Sequence, residues 1–191
     1  MAVDVFAPLK IGALQLPNRI VLAPVKTAFG GSDGLVTPQH IAYYRRRAEG
    51  GAGLIIVEPL FVDPKGREHP RQLGVHGDDS VQGLRDIVAA VREYGSRIIA
   101  HLNHAGRAAN PKAIGGPPEA PSSVTCPTTG ATPEPMTGER IAQVLEANGP
   151  ATQRAREAGY DGDELQLGLA YLPAQFLTPR PNLRSDEYGH V

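Results

Sequence analysis

The chain contains 191 residues with a formal net charge of −1 and one cysteine, Cys126. The balanced charge excludes the basic surface that nucleic-acid and membrane-surface partners require, and no apolar run approaches the roughly 18 residues of a membrane span. One cysteine excludes an internal disulfide or a cysteine-ligated iron–sulfur cluster. With no signal-peptide pattern at the start, we expect a cytoplasmic protein.

In chain order, the residues predict a hairpin followed by alternating strands and helices. Residues 9–16 alternate around Gly12-Ala13, as short hairpins do. Short runs at residues 20–23, 54–57, 98–102 and 161–166, most of them apolar, predict four strands. Helices are predicted after the N-terminal caps Thr37, Asp78 or Asp79, and Thr137, and they end at Glu49, Gly95 and near Ala158.

The alternation of strands and helices favours a parallel sheet with right-handed crossovers, in a single α/β domain over residues 1–191. We expect half of a TIM (β/α)8 barrel, with about four parallel strands, three main helices and the hairpin as a cap under the barrel. A complete barrel needs about 200 residues or more. The proline-rich segment 103–136 lacks periodicity, and a loop of that length is usually functional or disordered.

Two positions conflict with the predicted elements. Gly149-Pro150 falls inside the third helix, where proline costs roughly 3 kcal/mol and removes a backbone hydrogen bond. We expect either a kinked, solvated helix there or a chain that has drifted from its ancestor's constraints. Asp163 is expected on the outward face of the fourth strand, beneath the helices, where an unpaired carboxylate is destabilising.

The end of the third predicted parallel strand carries the most informative motif, Asn103-His104-Ala105-Gly106-Arg107. A polar, glycine-containing loop after an apolar strand is where parallel α/β proteins place their chemistry. His101 and His104 have a His-x-x-His spacing. Their side chains diverge at a strand end and no third ligand lies near in sequence, so we expect no metal site.

Together with three other stretches, this motif resembles the Old Yellow Enzyme family of FMN-dependent NADH:flavin oxidoreductases. The other stretches are residues 17–20, 43–51 and 175–189, in the family's order and spacing. The resemblance covers nearly the whole chain and is closest to the branch that includes 2,4-dienoyl-CoA reductases. A family barrel is about twice this long, so the resemblance implies the N-terminal half of one.

The resemblance implies a substrate site that contains Tyr171, Gln166, His104 and Arg107. Tyr171 matches the family tyrosine that delivers a proton to an activated alkene, and its phenol is a plausible general acid. Gln166 replaces a histidine and Leu169 replaces an asparagine or histidine, a pair that donates hydrogen bonds to the substrate carbonyl in the family. Glutamine retains one such bond and leucine none. His104 and Arg107 match the family and shape the substrate side of the pocket.

The resemblance also implies FMN as cofactor and NAD(P)H as reductant. The residues matched to flavin contacts are Ala23, Pro24, Val25, Lys26, Glu58 and His101. Lys26 replaces a threonine, cysteine or histidine and is expected to point to solvent, while His101 replaces a glutamine at the flavin pyrimidine edge. Such barrels hold the FMN phosphate in the loops after the seventh and eighth strands. Without these loops, we expect weak or no FMN binding by the isolated chain.

Three functions remain open from the sequence. The first is an FMN-dependent, ene-reductase-like half-barrel that works with a separately encoded C-terminal half-barrel subunit or as a homodimer. The second is a non-catalytic, degenerate flavin-barrel fragment that acts as a binding or structural protein, which the changes at Gln166 and Leu169 favour. The third is an unrelated barrel hydrolase with a metal held by His101, His104 and Glu164.

Overall fold

A four-stranded parallel sheet forms the centre of the molecule in the computed structural model, which describes residues 4–189. The strands are β1 (Leu9–Ile11), β2 (Leu14–Leu16), β3 (Val21–Leu22), β4 (Leu54–Phe61), β5 (Arg97–Asn103), β6 (Glu119–Ala120), β7 (Glu134–Pro135) and β8 (Asp163–Leu165). The parallel sheet has the order β3-β4-β5-β8, so sequential strands are neighbours. This order confirms the predicted parallel α/β architecture.

Helices lie between the strands of this sheet and after its last strand. They are α1 (Pro38–Glu49), α2 (Ser80–Arg92), α3 (Pro111–Ile114), α4 (Gly138–Ala158) and α5 (Leu172–Leu177). The ends of α4 are capped: Thr137 Oγ1 accepts a hydrogen bond from the Arg140 N–H at 3.1 Å, and Gly159 ends the helix in the left-handed region at φ +96°. The Asp79 side chain makes no capping hydrogen bond to α2. The three long helices match the prediction, whereas the short α3 and α5 were not predicted.

The N-terminal hairpin is the predicted antiparallel pair of β1 and β2. It meets the start of β5, where Arg97 Nε donates to the Gln15 carbonyl at 3.3 Å. Asn18 holds the chain beside it, because its Nδ2 donates to the Gly51 carbonyl at 2.9 Å. Gly53 must be glycine here, since a Cβ atom would lie 2.4 Å from Asn18 Oδ1. The hairpin thus lies at the end of the sheet opposite to the predicted site.

The hydrophobic core fills the space between the sheet and α1, α2 and α4. Its central side chains are Ile55, Val57 and Leu60 of β4, Ile98, Ala100 and Leu102 of β5, Leu84, Ile87, Val88 and Val91 of α2, and Ala151, Ala155 and Ala158 of α4. Burial of each large aliphatic side chain contributes about 1.5–3 kcal/mol. The opposite face of the sheet is less covered, and Val21 of β3 is exposed there.

A bulge in β4 changes the direction of Glu58. The pairing with β5 shifts between Ile56 and Pro59, so one extra residue is inserted in β4. Val57 packs in the core beneath the helices, and the Glu58 side chain contacts Tyr44 of α1. Both side chains therefore lie on the helix side of the sheet. The strand also continues to Phe61, four residues beyond the predicted end at residue 57.

The two positions that conflict with the predicted elements, Gly149-Pro150 and Asp163, are both exposed. Helix α4 is assigned without interruption across Gly149 and Pro150, both of which are exposed. The expectation of a buried, unpaired Asp163 is wrong: this residue is exposed, and its Oδ2 accepts a hydrogen bond from Thr152 Oγ1 of α4 at 3.1 Å.

The segment 103–136 is ordered by local contacts rather than by long elements. It contains α3, a 3₁₀ turn at Gly106–Ala108 and the short parallel pair β6–β7. Arg140 connects it to the loop after β4, because its guanidinium lies 2.9 Å from both Asp63 and Glu119 carboxylates. Across residues 4–189, none of the helices has the length and apolar character needed to cross a membrane.

Candidate active site

The carboxyl ends of the four parallel strands lie along one edge of the sheet, and the segments that follow them meet there. Lys26 follows β3, Glu68 lies in the loop after β4, and Tyr171 follows β8. His101 and Asn103 lie at the end of β5, with His104 directly after it. This edge contains most of the residues that the sequence predicts for catalysis and cofactor binding.

Tyr171, Glu68 and Lys26 form a closed cluster. The Tyr171 hydroxyl lies 2.9 Å from both carboxylate oxygens of Glu68. Lys26 Nζ lies 2.6 Å from Glu68 Oε1 and 3.3 Å from the Tyr171 hydroxyl oxygen. Tyr171 is only 7% exposed, against 18% for the Glu68 side chain and 43% for that of Lys26. Lys26 is therefore partly exposed to solvent, as expected, while Glu68 holds its ammonium group.

The cluster keeps both Tyr171 and Lys26 protonated at neutral pH. Burial raises the pKa of the Tyr171 phenol, and the negative charge of Glu68 raises it further. Burial of the Lys26 ammonium opposes its charge, but the hydrogen bond and charge of Glu68 outweigh this and raise the pKa of Lys26. The phenol therefore has a proton available for transfer.

His101 and Glu164 form a second pair, on the face of the sheet opposite to the helices. The two residues are register partners on β5 and β8, and His101 Nδ1 lies 2.5 Å from Glu164 Oε1. A carboxylate only accepts hydrogen bonds, so Nδ1 carries a proton and Nε2 is the ring nitrogen left for another contact. This Nε2 is buried and has no hydrogen-bond partner within the described residues. It is a buried polar atom at the position where the sequence predicts a flavin contact.

His104 is buried on a different side of the strand end. Its Nδ1 accepts a hydrogen bond from the Gly106 N–H at 3.1 Å. Burial lowers the pKa of His104 to about 4, so the ring is neutral at physiological pH. Within the described chain, its Nε2 and both amide atoms of Asn103 have no hydrogen-bond partner. Buried polar atoms usually have partners, so the end of β5 is poised for a polar contact.

Gln175 joins the loop after β5 to the turn before α5. Its Oε1 accepts from the Arg107 N–H at 3.1 Å, and its Nε2 donates to the carbonyls of Ala105 at 3.2 Å and Ala170 at 2.7 Å. Gly106 has φ +57°, and a Cβ atom there would lie 2.4 Å from Gln175 Oε1. The motif residues at 103–107 and 175 therefore act together to fix this edge.

Strained backbone accompanies the site. Leu169 and Ala170, directly before Tyr171, have φ values of +55° and +60°, and Ala28 has φ +56°. Non-glycine residues in this region cost about 1–3 kcal/mol and concentrate at functional sites. The two consecutive left-handed residues turn the chain so that the Tyr171 ring enters the cluster.

The expected substrate residues do not all meet in one cavity. Tyr171 and Leu169 line a cavity of about 620 Å³ that also includes Glu68. Gln166 and His104 line a separate, mostly apolar cavity of about 580 Å³ beside α4 and α5. Leu169 is 85% exposed. The grouping of Gln166 with Tyr171 stays a prediction that this arrangement does not support.

The remaining predicted residues have mixed surroundings. Arg107 Nη1 lies 3.5 Å from the Val124 carbonyl. The Glu58 carboxylate is buried against Thr27, at 2.6 Å, and Tyr44, at 3.3 Å, and the Glu58 N–H donates to the Tyr44 hydroxyl at 2.8 Å. The carboxylate and the N–H of Glu58 are therefore bonded within the protein, and its flavin contact stays a prediction. The residues at 23–25 lie along the open edge after β3, where Ala23 and Val25 are exposed.

Two findings bear on the sequence hypotheses. Glu68, which is central to the cluster, was missed, because it lies in a polar loop whose sequence has no periodicity. Among residues 4–189, no group of three or more histidine, cysteine, aspartate or glutamate side chains is arranged to hold a metal ion. The metal-hydrolase hypothesis therefore has no support in the described part of the chain.

Comparison with known proteins agrees with the resemblance seen in the motifs. A family model described as the NADH:flavin oxidoreductase / NADH oxidase family matches residues 4–190. The NADPH dehydrogenase of Bacillus subtilis is 39% identical over 190 residues, which is 99% of this chain and 55% of that protein. The metal reductase of Desulforamulus reducens is 41% identical over 184 residues, 96% of this chain and 27% of that protein. The chain thus spans about half, or less, of the relatives it matches.

Solved structures give the same result for the fold. The Old Yellow Enzyme homologue from Zymomonas mobilis has a TM-score of 0.92 at 30% identity, with 99% of this chain and 55% of that chain covered. Morphinone reductase in complex with tetrahydroNAD has a TM-score of 0.89 at 32% identity, with 100% and 56% covered. These matches confirm the predicted half-barrel: the chain belongs to the NADH:flavin oxidoreductase / NADH oxidase family, and its parallel sheet corresponds to about half of an Old Yellow Enzyme barrel.

Proposed function

We propose that the chain forms the N-terminal, proton-donating half of an FMN-dependent barrel that uses NAD(P)H to reduce an activated alkene. The observation that carries this proposal is the position of Tyr171. Its phenol lies at the carboxyl edge of the sheet, borders a cavity of about 620 Å³ and retains its proton because of burial and Glu68. These are the properties of a general acid that operates in a concave site.

The residues present fit the cofactor that the family uses. His101 Nε2 is buried without a partner in the described chain, and in the neutral tautomer with Nδ1 protonated it would accept the N3–H of a flavin ring. Glu164 supports this role, because its hydrogen bond to Nδ1 keeps the ring in the accepting tautomer. When bound, FMN supplies the hydride for alkene reduction. The backbone at 23–26, where Ala23 and Val25 are exposed, is the proposed surface along the flavin ring.

In the proposed reaction, this chain supplies a proton donor but little polarisation of the substrate carbonyl. Tyr171 donates the proton to the alkene carbon that does not receive the hydride. Gln166 is the remaining side chain able to polarise a substrate carbonyl, but it lines the neighbouring cavity. Leu169 has no donor at all. We therefore propose that catalysis depends more on Tyr171 than on polarisation of the carbonyl.

The remaining strands of the barrel complete this site, whether they come from the same polypeptide, from another subunit or from a second copy. In such barrels, the phosphate is held by the last two βα loops. We therefore propose that residues 1–191 alone bind FMN weakly and that the assembled barrel binds it tightly.

The experiment joins this chain to the C-terminal barrel strands of the Bacillus subtilis NADPH dehydrogenase, either by fusion or by co-expression. Tyr171→Phe should slow alkene reduction by about 10²-fold or more, while flavin reduction by NAD(P)H stays near its original rate. Tyr94→Phe, at an exposed tyrosine after α2, is the matched control. Equal rates of alkene reduction for Tyr171→Phe and the unsubstituted barrel would show that Tyr171 is not the proton donor.

The replacement of both family donors by Gln166 and Leu169 favours a second candidate, a degenerate barrel that binds no cofactor. The visible absorption spectrum separates the two functions. A complemented barrel that folds but shows no flavin band after incubation with FMN supports the degenerate barrel. A flavin band that the His101→Leu variant weakens supports the first function.

A further inference from the structure

The Tyr171 phenol is enclosed by charged partners that a proton donor does not need for a single transfer. It is in contact with a carboxylate on one side and an ammonium group on the other, from Glu68 and Lys26. These three side chains come from three segments far apart in the chain, and Glu68 and Tyr171 are 103 residues apart in sequence. The convergence of three segments on one phenol oxygen indicates a role beyond local folding.

Solvent exposure increases from Tyr171 through Glu68 to Lys26. The phenol is buried, Glu68 is largely buried, and almost half of the Lys26 side chain contacts solvent. A buried phenol that gives up its proton cannot regain it readily from bulk water. Of the two groups that contact the phenol oxygen, Lys26 is the more exposed and is the one that donates a hydrogen bond to it, so it offers a path for the returning proton.

We propose that Lys26, held by Glu68, is the proton relay that reloads Tyr171 after each turnover. This inference rests on the proposed function, because it assigns the step after Tyr171 has protonated the substrate. Lys26 and Glu68 act through Tyr171 and are therefore positioning residues.

The relay balances as a series of proton transfers. Tyr171 gives its hydroxyl proton to the substrate carbanion that hydride addition leaves, which forms a C–H bond and a phenolate. The Lys26 ammonium then gives one proton to the phenolate, which restores the phenol and leaves a neutral amine. The amine takes a proton from solvent water. One solvent proton is consumed per turnover, and no electrons move in the relay.

The proton affinities suit such a transfer. The ordinary pKa values of tyrosine and lysine are 10.0 and 10.5, and both residues have raised pKa values in this cluster. Both shifts keep the resting phenol and ammonium protonated, which is the state from which the relay starts. Glu68 supports the relay by keeping the Lys26 ammonium within 3.3 Å of the phenol oxygen.

Other charged groups lie around the cluster and must be considered in any titration. Lys112 lines the cavity of about 620 Å³ that Glu68 and Tyr171 border. Glu58 and His69 line a cavity of about 260 Å³ on the Lys26 side of Glu68. Of these groups, Lys26 is the cation with a hydrogen bond to the Tyr171 hydroxyl.

The first test measures Tyr171 itself, without turnover. NMR of ring-labelled tyrosine in the full chain follows the phenol during a pH titration, and Tyr171→Phe identifies its signal. Glu68→Gln should move the Tyr171 titration to lower pH, because it removes the negative charge. Lys26→Met should move it to higher pH, because it removes the positive charge. Opposite shifts would show that both charges act on the phenol, as the relay requires, and shifts of equal sign would overturn the coupling.

The second test, in the complemented barrel, separates the first proton transfer from Tyr171 from the later return of a proton to it. Lys26→Met should leave a single turnover of the alkene near the original rate but slow repeated turnover by about tenfold or more, within the usual range for proton-transfer catalysis. Lys26→Arg is the matched control, because arginine keeps the positive charge but cannot release a proton in proteins. Arginine should preserve the Tyr171 titration yet fail to restore turnover. Lys10→Met, at an exposed lysine of the hairpin at the other end of the sheet, should change neither.

These outcomes keep the two proposals distinct. An active barrel in which Tyr171→Phe has no effect contradicts the proposed function of Tyr171, and the relay fails with it. A barrel in which Tyr171→Phe is slow, while Lys26→Arg turns over at the original rate, contradicts the relay alone.

Discussion

At the residue scale, the two histidines at the end of β5 have opposite surroundings. His101 pairs with a carboxylate at 2.5 Å, whereas His104 is buried with a single hydrogen bond from the Gly106 N–H. Gly66 packs against the His104 ring so closely that a Cβ atom there would lie 2.6 Å from it. Such packing favours the neutral ring of His104 and disfavours its protonation.

The stability of the chain should therefore fall in acid because of His104. Burial lowers the pKa of His104 from 6.5 to about 4 in the folded state, so between these pH values the unfolded chain binds a proton that the folded chain does not. Unfolding free energy should decrease as the pH falls through this window, by up to roughly 3 kcal/mol from this residue. Urea unfolding at several pH values measures the effect.

The control for this prediction is another histidine with the same local bond. His69 Nδ1 accepts a hydrogen bond from the Arg71 N–H at 3.1 Å, two residues later, as His104 does from Gly106, but His69 is exposed. His104→Asn should flatten the stability profile between pH 4 and 6.5, and His69→Asn should leave it unchanged. A profile that keeps its slope in His104→Asn would show that other groups cause the acid sensitivity.

The sequence located this edge of the sheet but not its internal contacts. Tyr171, His101 and His104 were predicted at strand ends, because strand ends and glycine-containing loops follow from local patterns. The partner of Tyr171 could not be predicted, since Glu68 lies in an aperiodic loop. The ion pair of Lys26 with Glu68 could not be predicted for the same reason, since a contact between distant segments has no local signal.

At the element scale, the strands and long helices were predictable, while the irregular parts were not. Apolar runs and N-terminal caps identified β4, β5, α1 and α4. The last half of β4 was missed, because Glu58-Pro59 interrupts the apolar run that signals a strand. The bulge that accommodates Glu58 depends on the register with β5, which the sequence of β4 alone does not specify.

Helix α4 shows how tertiary packing overrides local propensity. Ala151, Ala155 and Ala158 anchor its C-terminal half in the core, and this half follows Pro150 directly. Pro150 leaves the carbonyl of the preceding turn without its N–H partner. The position is exposed, so that carbonyl is accessible to solvent, and the packed alanines hold the helix together.

Pro150→Ala should therefore stabilise the chain, by up to about 3 kcal/mol, because it restores the backbone hydrogen bond and removes the steric clash of the ring. Thermal unfolding measured by circular dichroism gives the change. Gln153→Ala, at an exposed position one turn later in α4, is the control and should change stability by less than about 0.5 kcal/mol. An unchanged or lower stability for Pro150→Ala would indicate that proline fits this helix without penalty.

At the scale of the whole molecule, the apolar surface is unevenly covered. The core beneath α1, α2 and α4 is closed, but a mostly apolar cavity of about 580 Å³ opens between α4, β8 and α5. The leucines around it are more than half exposed and are Leu145, Leu165, Leu167 and Leu177. In the relatives, the chain continues beyond the matched region, since this chain covers 55% of the Bacillus subtilis protein. The open cavity is consistent with the place of further barrel elements.

The isolated chain should therefore associate through this surface, because burial of apolar area stabilises contacts by about 25 cal/mol per Å² and exposed patches of this kind promote association. Replacing Leu145, Leu165 and Leu177 together by glutamine should raise the concentration at which light scattering detects oligomers. Phe6 and Ile11 are also exposed but belong to the hairpin end, so Phe6→Gln with Ile11→Gln is the matched control and should have little effect. If both sets reduce association equally, general surface hydrophobicity is the cause. A compact monomer of the unsubstituted chain at all concentrations would contradict the prediction, whereas association that depends on the three leucines would identify the surface against which the rest of the barrel packs.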